Sequence, residues 1–108
     1  MQTKPKNELT ALSQKMQIVA NNYFFAWNVL LKNYDLDDDT FYLFIIYMQK
    51  VKEAFEALSQ IEKRFLNYEY FYQAYPRWWK DSLSNYRYAR IKRESIKHFL
   101  EVFYVSFK

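Results

Sequence analysis

Apolar side chains recur at Leu9, Leu12, Met16, Val19, Tyr23, Ala26 and Leu30. That three-four spacing lines one face of a helix and predicts one over residues 9–33. Its second half carries further rings off the stripe, at Phe24, Phe25 and Trp27, with Leu31 beside them. A helix apolar on nearly every side needs enclosure by other helices or by a partner. Asn33 is placed to close it, because asparagine tolerates the left-handed region best after glycine.

A second stripe, Phe44, Met48, Val51, Phe55, Leu58, Ile61 and Phe65, predicts one long helix from about 40 to 72. Glu53, Glu56 and Glu62 form part of its charged face. At roughly 1.5 Å per residue the two helices are about 35–50 Å long and should pack as an antiparallel hairpin. Pro76 favours a helix start and pushes Tyr75 out of helical geometry, so a third helix is expected from about 76 to 106. Short polar side chains around Ser82-Leu83-Ser84-Asn85 mark a point where it can be interrupted. Its core face is read as Trp78, Ala89, Ile96, Leu100, Phe103 and Phe107. The expected architecture is all-α: a bundle of three long helices in a single domain over 1–108, with residues 1–8 flexible and self-association as one way to complete the bundle.

Composition narrows the chemistry. The 108 residues contain no glycine and no cysteine. Phosphate cradles, dinucleotide fingerprints and nucleophile elbows all rely on a residue without a Cβ, so nucleotide-fold enzymes are excluded. No disulfide or thiolate metal site can form, and no cofactor is expected. The run Asp35-Leu36-Asp37-Asp38-Asp39-Thr40 alternates acids as an EF-hand loop does. Thr40 nevertheless stands where the turn glycine belongs and Ile46 where the bidentate glutamate belongs, so the aspartates are read as helix-capping residues. The basic N-terminus leads into no apolar run, which argues against a signal peptide and for the cytoplasm. Neither Tyr23–Leu31 nor Phe41–Met48 approaches the roughly 20 apolar residues a membrane span needs.

Charge and rings then single out the last third. Residues 1–75 hold eight Lys/Arg against nine Asp/Glu, whereas 76–108 hold eight against three. Aromatic residues make up 22% of the chain, more than a small helical core comfortably encloses, so some rings must lie outside. On a continuous third helix Lys80, Arg87, Arg90 and Lys97 share a sector of roughly 100° with Trp79, Leu83 and Tyr86, and Arg93 lies beside it. Arg77 precedes them, and Tyr68, Tyr70, Phe71, Tyr72 and Tyr75 could extend the ring surface. Cations that release phosphate counterions, set among rings that stack on unpaired bases, suit single-stranded or irregular RNA. The expected function is non-catalytic binding of an acidic partner, RNA or a nucleoprotein complex, through Arg77, Trp79, Lys80, Tyr86, Arg87, Arg90, Arg93 and Lys97.

Two resemblances supply alternatives. Arg93-Glu94-Ser95-Ile96-Lys97-His98 has the Arg-x4-His spacing that resembles the ribonuclease motif of HEPN domains, which implies metal-independent RNA cleavage by the arginine and histidine. That family usually carries asparagine or aspartate where Glu94 stands. The glycine-free, Lys-, Asn- and Tyr-rich composition resembles that of proteins encoded by AT-rich mobile elements. It implies a phage inhibitor of a host nucleic-acid-processing protein, of the anti-CRISPR type.

Overall fold

The computed structural model describes residues 5–32, 35–72 and 75–105, with side chains from Glu8 onward. Four helices pack together: α1 (Pro5–Leu31), α2 (Asp38–Glu56), α3 (Gln60–Leu66) and α4 (Asn85–Val105), and among the described residues there is no strand. A π-helical turn, Asn67–Phe71, continues α3 directly.

Helix α1 begins at Pro5, within the stretch expected to be flexible. Proline's fixed φ suits a first helical turn. Residues 1–4, together with Asn33 and Phe107, lie outside the described residues. The predicted stripe faces inward: Met16, Val19 and Ala26 are buried, while Leu12 and Tyr23 pack at the edge of the core. The acidic connector does what its residue types suggest. Asp37 is the N-cap of α2, its carboxylate accepting from the Thr40 backbone N–H at 2.7 Å, and the Thr40 hydroxyl, followed by that backbone bond, holds its carboxyl below the ordinary range. Helices α1 and α2 run antiparallel, as the contacts Phe25–Phe44 and Asn22–Tyr47 require.

The second predicted helix is in fact two. Ser59 forms a capping box with Glu62, its hydroxyl accepting from the Glu62 N–H while the Glu62 carboxylate accepts from the Ser59 N–H. This reciprocal pair starts a new helix and turns the chain. Ile61, which an unbroken helix would have buried, is consequently 69% exposed. The third predicted helix also starts later. Residues 75–82 form a run of turns in which Arg77 adopts φ 59°, a conformation that cannot propagate a right-handed helix. Ser84 then caps α4, accepting from the Arg87 N–H at 3.1 Å.

The core lies where α1, α2, the α3–π segment and α4 converge, around Met16, Ala20, Val51, Ala54, Phe65, Leu66, Ile96, Phe99 and Phe103. Each fully buried Leu, Ile or Phe contributes roughly 1.5–3 kcal/mol relative to exposure. Of the expected core face of α4, Ile96, Leu100 and Phe103 are buried, joined by Phe99, and Trp78 and Ala89 are half-buried. The described helices include none long and apolar enough to cross a membrane. The chain measures 47 × 34 × 24 Å with a radius of gyration of 15.5 Å, against about 13 Å for a compact chain of this length. The excess reflects an elongated shape.

Candidate binding surface

Amphipathicity explains why α4 displays its cations. Ser95, Ile96, Phe99, Leu100 and Phe103 turn inward, so Tyr86, Arg87, Arg90 and Lys97, which share the opposite face, point to solvent. Tyr86 is 73% exposed, and Arg93 is half-buried at the edge of the same face. Arg77, Trp79 and Lys80 do not belong to this helix. They sit in the turns ahead of it, Arg77 and Lys80 exposed and Trp79 half-buried. The continuous helical sector expected for all of them is therefore replaced by a helix face plus a preceding loop.

Part of the positive charge is answered internally. Arg90 Nε lies 3.5 Å from Glu94, and Lys97 Nζ lies 3.0 Å from Glu8 of α1. Both pairs are largely exposed, so each contributes little and water competes for it. Among the described residues Arg77, Lys80, Arg87 and Arg93 make no ion pair within 4.0 Å.

The loop is held from beneath by a group that the sequence reading passed over. Glu69, in the π-helical turn, accepts from the Trp78 indole N–H at 2.8 Å and from the Tyr88 hydroxyl at 2.7 Å. Lys92 Nζ lies 3.6 Å from the same carboxylate and over the Tyr88 ring at 5.4 Å. Burial, and then the Glu69 carboxylate, push the Tyr88 hydroxyl far above its ordinary pKa, so it remains a donor. Rings close around this centre. Trp79 stacks on Tyr88 with centroids 4.1 Å apart, and Trp78 meets Phe65 and Tyr68 edge-on at 5.4 and 5.0 Å. Tyr72 contacts Tyr68 at 6.3 Å and is exposed, as is Tyr75. Tyr70 is buried and bonds Ser13 at 2.7 Å; burial, opposed by that bond, pushes its hydroxyl up to about 12. Tyr70 thus belongs to the interior and Phe71 packs half-buried against the core, whereas Tyr72 and Tyr75 lie on the surface. One signal for Glu69 was present: a lone carboxylate inside Tyr68-Glu69-Tyr70-Phe71-Tyr72 needs a partner if the run is even partly buried.

Arg93 and His98 are not brought together. Five residues on a straight helix set them about 140° apart around the axis, and His98 Nδ1 is engaged by Glu62 at 3.0 Å. Burial raises the Glu62 carboxyl, but bonds from Ser59 and His98 outweigh it and hold the group below its usual range. Among the described residues no group of three or more His, Cys, Asp or Glu could hold a metal ion. The sequence matches no protein-family model and no curated protein, and the fold matches no solved structure.

Proposed function

We propose that this protein acts by binding, and that its basic, aromatic surface at the start of α4 engages an acidic partner, with single-stranded RNA the chemistry it suits best. The observation that carries the reading is Tyr86, an open ring on the same helix face as Arg87 and Arg90. Arg77 and Lys80 add exposed cations from the adjoining loop, without an ion pair among the described residues. A base stacked on such a ring is worth about 1–3 kcal/mol whatever its identity, and the cations exchange condensed counterions for phosphate contacts.

Labelled single-stranded RNA titrated with the protein at several salt concentrations tests this. Binding should weaken steeply with salt. Replacing Arg77, Arg87 and Arg90 by alanine should lower affinity on every sequence and flatten the salt slope by about 2, at roughly 0.7 per phosphate contact. Tyr86→Ala should lower affinity without changing that slope. A second reading rests on the same residues, because arginine beside exposed tyrosine also anchors protein interfaces. The partner would then be a nucleic-acid-processing protein met by a phage inhibitor of the anti-CRISPR type. Under it RNA alone gives no salt-sensitive binding, and a pull-down recovers one protein dependent on Arg87 and Tyr86.

A further inference from the structure

The α1–α2 hairpin has an apolar flank that nothing in the described chain covers. Between Gln17 and Leu31, and again between Thr40 and Gln49, there is no charged residue. Phe24, Trp27 and Leu31 lie along one edge of α1, 37%, 47% and 63% exposed, and Phe41 on α2 is 49% exposed. Between the two helices runs a groove of about 550 Å³ whose lining includes Trp27, Ile45, Met48, Lys52, Phe55 and Phe71. Helices α1, α2 and α4 pack against one another, and the short α3–π segment packs on α4 and α1.

The residues along this flank of α2 identify what fits there. Asp38, Ile45 and Lys52 repeat at intervals of seven, with Phe41 and Met48 between them, the spacing that keeps a seam facing a partner helix. The charges of this seam are self-complementary. Ile45 is its midpoint, so an antiparallel copy related by a twofold axis at Ile45 sets Asp38 of each chain opposite Lys52 of the other. Asp38 and Lys52 are both exposed, and among the described residues neither makes an ion pair. Area agrees. At roughly 200 Å² per large side chain the four exposed residues leave on the order of 400 Å² of apolar surface open. A standard interface takes about 800 Å² per partner, just over half of it apolar. A chain of net charge +4 also meets its own copy with least repulsion through an uncharged face.

We propose that this flank is a twofold self-association surface, in which two copies pack antiparallel along α2 with Trp27 and Leu31 at the flanks and Asp38 paired with Lys52 at both ends. The surface is separate from the basic end of α4, so the homodimer and RNA binding stand or fall independently.

Sedimentation equilibrium of the full chain over a concentration series, with helicity checked by circular dichroism, tests it. The parent protein should dimerise below about 100 μM, within the range of standard-size interfaces. Asp38→Lys and Lys52→Asp should each raise the dimer Kd by at least about tenfold, since each sets like charges across the axis twice. The double variant D38K/K52D should dimerise again, and an equimolar mixture of the two single variants should form a heterodimer that neither forms alone. A parent protein that stays monomeric at that concentration overturns the proposal. So does a dimer indifferent to both charge reversals, or single variants that stay folded but are not rescued by one another.

Discussion

Replacing Glu69 by alanine is the sharpest test of how the loop ahead of α4 is held. The carboxylate accepts from Trp78 and Tyr88 and faces Lys92, and the Lys92 and Glu69 side chains are only 17% and 15% exposed. Breaking a buried ion pair by removing one partner costs about 3–5 kcal/mol, because the remaining charge is left uncompensated. Each orphaned donor adds about 1–3 kcal/mol when water cannot reach it. Here some water can reach both groups, and the Tyr88 face still offers Lys92 a cation–π contact, so about 2–4 kcal/mol is expected for Glu69→Ala. With a urea m-value of about 2 kcal/mol/M, the middle of the usual range for small proteins, the unfolding midpoint should fall by roughly 1–2 M. Glu69→Gln keeps one acceptor oxygen and should lose about half as much. The double variant E69A/K92M should recover part of the loss, since it removes the stranded ammonium while keeping its aliphatic volume. Urea unfolding followed by circular dichroism and tryptophan fluorescence reads all three. A midpoint for Glu69→Ala within about 0.3 M of the parent, or a double variant no more stable than Glu69→Ala, would refute the assigned role.

Two further outcomes follow from groups in the interior. Ser95 is fully buried and its hydroxyl has no hydrogen-bond partner among the described residues, so Ser95→Ala should stabilise the fold by about 0.5–1.5 kcal/mol through relief of an unpaired group and better helix propensity, and a clear destabilisation in thermal melts would contradict this. Tyr70 and Tyr88 bind their protons more tightly folded than unfolded, Tyr70 with a value of about 12 against 10.0. The stability Tyr70 supplies is complete below pH 10.0 and is lost as pH rises through about 12, and the loss of the Tyr88 contribution, which also begins at its unfolded value, extends to higher pH. Urea midpoints measured across that range should fall, and the fall should be shallower in Tyr88→Phe; equal slopes would remove the linkage.

Much of the fold could be read from periodicity because α1 and α4 each bury one consistent face. Met16, Val19 and Ala26, and later Ile96, Leu100 and Phe103, needed only a count of intervals. The corner at Ser59 escaped because Leu58 and Phe65 are seven apart and both buried, so the apolar pattern runs on as though the helix did not break. The local signal was Ser59-Gln60-Ile61-Glu62, a capping box inside an apparently continuous helix. Pro76 marked a beginning that Arg77 cancels, and Ser84 supplied the real one. At the surface, Arg87, Arg90 and Lys97 were legible as the solvent side of an amphipathic helix. The partners of the anchoring carboxylate were not, since Glu69, Trp78, Tyr88 and Lys92 come from three separate stretches that only the tertiary fold brings together.

A chain with no glycine has one positive-φ residue among those described, and it is an arginine. An L-residue with a Cβ rests there at a penalty on the order of 1 kcal/mol, so nothing local favours the bend at Arg77. Clamps on its C-terminal side hold it instead, Trp78 tied to the π turn and Trp79 laid on Tyr88. A peptide spanning 75–105 would lack the π turn and should relax at that bend. Display of the Arg77 guanidinium is therefore a property of the assembled molecule and cannot be transplanted with the helix that follows it.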